Sequence, residues 1–328
     1  MRILITGGTG LIGSFFVKRL VDDGHEVWIY HRRPSLPSEL QAYSPNIRGI
    51  QGDLFDLPLV SETVQACNAI IHSAGHVSFA RREKSRLHRI NVEATRFWVD
   101  VALNANIERF VYLSSVSALG LPKDQSLIDE KVQWEDQLSM TEYGRTKHLG
   151  EREVWRGIEE GLPGSIINPS VVLAPGAEIR SSLRMLDYVK SGGKFLFPGT
   201  VNYVDVRDLT QLMKILLLQE GEVGEQYIAS AGSLSYAHFL SEIAAYSGVK
   251  PPSIRLPIGL LRTLAPIEEA RNYLFGGTPL VTHDMVKSIR KSVTFDGSKA
   301  GTLKGFSYHS LGDSLTWVIN EMWGTNRG

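Results

Sequence analysis

Tyr143 and Lys147 stand four residues apart in Glu142-Tyr-Gly-Arg-Thr-Lys147, where Leu149, Val154 and Ile158 follow at helical spacing. On a helix the two side chains share one face. A phenol ordinarily loses its proton near pH 10, too high for proton exchange at neutral pH, and a nearby ammonium favours the phenolate. Lowering the phenol by about 3 units takes about 4 kcal/mol of differential stabilisation. Tyr-x-x-x-Lys alone is common by chance. It gains meaning from Leu113-Ser-Ser-Val-Ser-Ala-Leu-Gly120, where Ser114 and Ser115 close an apolar strand and offer hydroxyls to a substrate oxygen.

Such groups need a partner molecule, and the first thirteen residues supply a place for one. Residues 2–6 read as a short buried strand. Gly7, Gly10 and Gly13 follow as G-x-x-G-x-x-G and run into an amphipathic helix marked by Leu11, Ile12, Phe15, Phe16 and Leu20. Gly7 permits the sharp turn, Gly10 lets a phosphate approach the backbone, and Gly13 lets helix and strand pack closely. The N–H groups of Thr9 to Gly13 then face a pyrophosphate. The positive nicotinamide ring of an oxidised dinucleotide would further favour the Tyr143 phenolate.

Strand and helix alternate through the first half. Further strands are expected at 25–30, 46–51, 69–72 and 109–113, with one long helix over 85–105. This order implies a doubly wound parallel α/β sheet that binds ligands at the carboxyl ends of its strands. Four polar segments follow such ends: Gly7 to Gly10, His31 to Arg33, Gly52-Asp53-Leu54 and Ser73-Ala74-Gly75. All are expected to line one crevice.

The end of the second strand selects the cofactor. A carboxylate there would bind the ribose 2′-hydroxyl of NAD(H). Tyr30-His-Arg-Arg33 stands there instead, and the guanidinium groups of Arg32 and Arg33 suit the 2′-phosphate of NADP(H). NADP(H) is favoured, with NAD(H) as the alternative. Asp53 is placed to accept from the adenine amino group, or simply to shape a turn.

Bulk properties set limits. The 328 residues carry 35 Lys+Arg and 35 Asp+Glu, which gives no basic surface for nucleic acid or anionic lipid. A hydrophobic content of 43% suffices for a core without staples, and the single cysteine, Cys67, rules out an intrachain disulfide and a cysteine-rich metal site. No apolar run reaches membrane-span length, and the chain opens directly on a strand rather than a leader. A cytoplasmic protein with a small-molecule substrate is expected, with no metal, no membrane and no nucleic acid. Whether it forms a homodimer stays open.

Taken together, Thr6-Gly-Gly-Thr-Gly-Leu-Ile-Gly13, Gly52-Asp53-Leu54, Ser114-Ser115 and Tyr143-Gly-Arg-Thr-Lys147 resemble the extended short-chain dehydrogenase/reductase superfamily. Asn91-Val-Glu-Ala-Thr95, Asn168-Pro-Ser-Val-Val-Leu-Ala-Pro-Gly176 and Tyr203-Val-Asp-Val-Arg-Asp208 extend the likeness over nearly the whole chain. The resemblance implies a Rossmann fold with a smaller C-terminal α/β substrate lobe. Residues 1–170 and 201–232 would form the dinucleotide domain, and residues 171–200 and 233–328 the lobe. It implies that Ser115 polarises the substrate oxygen, Tyr143 exchanges its proton, and Lys147 binds the nicotinamide ribose. It also implies cofactor contacts from Ser73, Ala74, Gly75, Pro169 and Val172.

Departures from the superfamily's sugar-nucleotide branches narrow the reaction. Dehydratases carry an Asp-Glu pair after the catalytic hydroxyl, where this chain has Val116-Ser117. Epimerases commonly place an arginine before the Tyr203 motif, where Gly199-Thr-Val-Asn202 stands here. The expected activity is therefore ketone–alcohol interconversion on an apolar ring-containing molecule, as in the dihydroflavonol reductase and 3β-hydroxysteroid dehydrogenase branches. A sugar-nucleotide epimerase and a non-catalytic dinucleotide sensor are the alternatives, the latter having no need of an intact Ser–Tyr–Lys set. In the apolar segment 254–275, Leu256, Ile258, Leu260, Leu261, Leu264, Tyr273 and Phe275 are expected either to roof a pocket or to form the lobe's packing core.

Overall fold

The computed structural model describes residues 1–122, 126–134, 141–176, 182–218, 223–257, 293–324 and a few positions between 259 and 266. Seven parallel strands form the main sheet: β1 (Arg2–Thr6), β2 (Glu26–His31), β3 (Ile47–Gln51), β4 (Ala69–His72), β5 (Arg109–Leu113), β6 (Gly164–Pro169) and β7 (Glu225–Ala229). Their spatial order is β7-β6-β5-β4-β1-β2-β3. The chain winds outward from β1 to β3 and then returns to β4 beside β1, so a crevice opens where β1 and β4 end.

Alternation along each strand feeds two cores. Ile3 and Ile5 of β1 pack with Phe16, Val17 and Leu20 of helix α1 (Leu11–Asp22), whereas Leu4 faces the opposite layer with Ile70, Trp98 and Val154. Helices α2 (Leu57–Gln65), α3 (Ala94–Ala105) and α4 (Glu142–Glu159) cover that second face, and α5 (Val206–Leu218) covers the first beside α1. Parallel strands buried on both faces carry continuous apolar runs, and those runs mark the strands in the sequence. The expected strand over 25–30 runs one residue later, because His31 continues the ladder opposite Gln51.

The expected helix over 85–105 has a more detailed form. A short helix, Lys84–His88, passes through a π-helical turn, Arg89–Glu93, before α3 begins. The widened turn shifts the periodicity by one residue and buries Asn91, which is 1% exposed.

A smaller assembly follows. Val171–Leu173, Thr200–Asp205 and Gly232–Ser235 form a three-stranded sheet, packed against helices Ser182–Lys190, Tyr236–Ser247 and Leu311–Trp323. Leu173, Leu186, Phe239, Ile243, Leu315 and Val318 are its core. Of the apolar segment, Leu261 is buried in a small cluster with Leu256 nearby, and Leu260 is exposed. Ile258, Leu264, Tyr273 and Phe275 lie outside the described residues. Among the described residues no helix is long and apolar enough to cross a membrane, and no group of three or more His, Cys, Asp or Glu could hold a metal ion.

Candidate active site

The turn after β1 is set by contacts with the end of β4. Gly7 has φ +72°, and a Cβ there would stand 2.7 Å from the Ala74 nitrogen and the Ser73 carbonyl. Gly10 N–H donates to Gly7 O at 2.9 Å, closing the turn, and a Cβ on Gly13 would lie 2.3 Å from that same oxygen. Helix α1 then begins without a side-chain cap or any acidic residue in its first turn. Helices α2, α4, Tyr236–Ser247 and Leu311–Trp323 are capped by Asp56, Thr141, Ser235 and Ser310. A cap contributes about 1 kcal/mol. Forgoing it at α1 leaves N–H donors and the positive helix end facing the crevice, which fits a dinucleotide pyrophosphate. Thr9 and Leu11 lie in this turn, half-buried, and Ile12 packs against the core below.

A second cleft lies at the ends of β2 and β3, where the sequence predicts the adenosine. Arg32, Gln51, Gly52 and Asp53 line an open cleft of about 360 Å³. Tyr30 fixes its floor by donating to Asp53 O at 2.8 Å, and Asp53 Oδ1 caps its own turn by accepting from Phe55 N–H at 3.0 Å. Leu54 turns inward to the Trp98 core. Arg32 and Arg33 are both exposed at the turn, whose Arg33 carbonyl faces His31 Nδ1 at 2.9 Å.

Arg32→Ala tests the cofactor-selecting role of this cleft. One charge-assisted contact to a 2′-phosphate is worth roughly 1.5–3 kcal/mol, or about ten- to a hundredfold in affinity. Titrating both cofactors should show NADPH weakened by that factor in the variant, with NADH nearly unchanged. The preference should also shrink as salt rises. Equal affinities for the two cofactors in the unaltered protein would make the arginines a solvated turn.

The chemistry-bearing side chains meet at the ends of β4 and β5. Ser114 is buried, whereas Ser115 is half-buried and reaches the Tyr143 hydroxyl. The geometry thus separates the two serines that sequence placed side by side. Helix α4 holds Tyr143 and Lys147 on one face, as their spacing requires. Lys147 is 3% exposed and donates to Tyr112 OH at 2.9 Å and to Leu113 O at 2.8 Å. An ammonium has three N–H donors, so one remains for a further acceptor. Burial lowers the Lys147 pKa, and even with the opposing charge of Glu151 it stands at about 7. Burial raises the Tyr143 phenol, Ser115 lowers it, and Glu151 raises it. The net effect is upward, so the phenol keeps its proton at neutral pH.

A polar chain ties these loops together. Thr95 Oγ1 donates to Asn91 O at 2.9 Å and therefore accepts from His72 Nε2 at 3.3 Å. His72 Nδ1 then accepts from Thr6 Oγ1 at 2.9 Å, and Thr6 Oγ1 accepts from Ala74 N–H at 3.2 Å. His72 is fully buried between aromatic rings, and burial takes its pKa to about 3, so it stays neutral and structural. Asn91 donates to His76 O and Thr146 Oγ1 and accepts from His76 N–H, locking the Gly75–His76 backbone to α4. Ser73 donates to Thr6 O at 2.7 Å.

Sequence reading did not single out Tyr112, Glu151 or Phe79. Tyr112 contacts Lys147 from 35 residues away, which no local pattern reveals. The Phe79 ring meets Tyr143 edge-on at 6.2 Å and is 38% exposed. Glu151 carried a signal, since it repeats the four-residue step from Tyr143 to Lys147. On the far side, Pro169 is buried at the end of β6 and Val172 is half-buried beyond it.

The NAD dependent epimerase/dehydratase family model matches residues 3–229, which includes every element of this site. The chain belongs to that family. A putative dihydroflavonol 4-reductase of Synechocystis is similar over 97% of this chain and 94% of its own length, at 31% identity. Among solved structures, gox2253 is 28% identical with a TM-score of 0.84, covering 99% of this chain and 98% of its own. MoeE5, in complex with UDP-glucose and NAD, is 21% identical with a TM-score of 0.76 over 98% of both chains, a likeness of fold. Membership accounts for the helix α1 terminus: this family of oxidoreductases and epimerases uses a nicotinamide dinucleotide.

Proposed function

We propose that this family member is an NADP(H)-dependent oxidoreductase that interconverts a ketone and a secondary alcohol on a mainly apolar, ring-containing small molecule. The observation that carries the reading is the surround of Tyr143: a hydroxyl from Ser115 on one side and the half-exposed Phe79 ring on the other. A carbonyl oxygen between Ser115 and Tyr143 accepts from both hydroxyls, while its ring lies against Phe79. Bound dinucleotide supplies the hydride for the carbonyl carbon. Tyr143 donates the proton to the oxygen, and Lys147 directs its remaining N–H toward the nicotinamide ribose. Residues 1–170 and 201–232 serve the dinucleotide in this reading, and residues 171–200 and 233–328 the substrate.

Two observations weigh against sugar-nucleotide chemistry. Asn202, where an epimerase commonly sets an arginine nearby, is 8% exposed and committed to the chain itself. It donates to Val293 O at 2.8 Å and accepts from Phe295 N–H at 3.0 Å. Val116-Ser117 lies in a 3-10 turn whose Ser117 N–H donates to Ser115 Oγ, with no acid or base for eliminating water. Incubation with NADPH and a panel of cyclic ketones, followed by calorimetry with UDP-glucose, tests the reading. Ketone-dependent NADPH consumption without saturable sugar-nucleotide binding is expected. Tight UDP-glucose binding with no NADPH consumed would promote the epimerase.

A further inference from the structure

Beneath the reacting groups lies a carboxylate that the chemistry above does not use. Glu151 is one turn beyond Lys147 and two beyond Tyr143 on the same face of α4, and is 4% exposed. A carboxylate is almost never buried so fully unless it is paired. Its partners come from three neighbouring strands. Asn168, at the end of β6 and fully buried, donates to Glu151 Oε1 at 2.5 Å and to Ser115 O at 2.9 Å. Gln226 of β7 donates to Asn168 Oδ1 at 2.7 Å, fixing the orientation of that amide. The Ser114 hydroxyl at the end of β5 lies beside the carboxyl, as does Tyr112 deeper in the same strand.

We propose that Glu151 is a positioning residue: its carboxylate holds Ser115 through Asn168 and keeps Lys147 in the ammonium form. The inference rests on reading Ser115, Tyr143 and Lys147 as the reacting set. The Asn168 amide bridges the Glu151 carboxyl and the Ser115 backbone, so the two are mechanically coupled. The electrostatic half follows from burial. Among the described residues no other carboxylate acts on Lys147, and its hydrogen-bond partners Tyr112 and Leu113 O are neutral. His72, also close, is neutral and gives no counter-charge. Burial pushes the pKa of both Glu151 and Lys147 to about 7, and each charge favours the ionised form of the other. Acid therefore neutralises the Glu151 carboxyl and leaves the ammonium, base neutralises Lys147 and leaves the carboxylate, and the two protons leave in steps that belong to the pair.

Glu151→Gln separates charge from geometry, because the Gln carbonyl still accepts from Asn168. The readout is the titration of Lys147, followed by NMR of protein carrying lysine labelled at the ε-carbon and assigned with Lys147→Arg. Removing the anion should move the Lys147 midpoint down by about 1–3 pH units, the range for a close opposite charge. Glu151→Asp, which keeps the charge, should restore most of it. The alkaline limb of turnover should shift the same way, since reduction needs both the ammonium and the protonated phenol. If Glu151→Gln does not fold, the reciprocal variant Lys147→Met should raise the midpoint of the Glu151 carboxyl. An unchanged Lys147 midpoint in folded Glu151→Gln, or an unchanged Glu151 midpoint in Lys147→Met, overturns the proposal. The titrations need no substrate, so their failure counts against Glu151 alone, and failure of ketone turnover against the reductase reading.

Discussion

Tyr143→Phe should bind dinucleotide nearly as the unaltered protein does and lose more than about 10²-fold in turnover, the low end for a general acid–base group. The ring remains, so its edge contact with Phe79 and the packing at the start of α4 persist. What disappears is the hydroxyl that faces Ser115 and that exchanges the proton in the proposed reaction. The comparison is steady-state turnover with cofactor affinity measured in parallel. Loss of turnover at unchanged affinity identifies a group that acts on the reaction rather than on binding. Near-normal turnover would remove Tyr143 from the chemistry and, with it, the purpose assigned to Lys147.

The second large effect is expected at Gly13. A methyl there meets Gly7 O at 2.3 Å and Gly8 Cα at 2.8 Å, both backbone atoms that cannot rotate away. Overpacking of this kind costs about 1–3 kcal/mol, and relief requires the turn after β1 to move. That turn aims the N–H donors of α1, so dinucleotide affinity should fall about ten- to a hundredfold, equivalent to losing one charge-assisted hydrogen bond. Gly301→Ala is the control, because a methyl at that position would meet no described atom within 4 Å and the φ there is unexceptional. Calorimetric titration and thermal melts of both variants decide the matter. A Gly13→Ala protein that binds dinucleotide normally would show that the close packing of turn and helix is not what shapes the site.

How much of this was legible in the sequence depended on range. Local periodicity revealed β1, the glycine turn and the shared face of Tyr143 and Lys147, since each is decided within a few residues. The π-helical turn at Arg89–Glu93 was not legible, because one extra residue per turn leaves an apolar pattern that still reads as continuous helix. Its consequence, the burial of Asn91 against His76 and Thr146, joins segments 15 and 55 residues apart. Asp53 showed the limit of residue type: it lines the cleft at the ends of β2 and β3, yet its side chain also caps its own turn. The burial of Glu151 was not legible, because it depends on the approach of β6 and β7 from distant segments.

The central claim is that hydride passes between a nicotinamide dinucleotide and an external ring ketone at Tyr143. The most direct measurement uses NADPH carrying deuterium at the transferable C4 position, with the product alcohol analysed by mass spectrometry. The account predicts one deuterium on the carbinol carbon for each NADPH consumed, with transfer abolished in Tyr143→Phe. Interconversion of a UDP-sugar on a retained dinucleotide, with no deuterium delivered to any ketone and no net loss of NADPH, would contradict it.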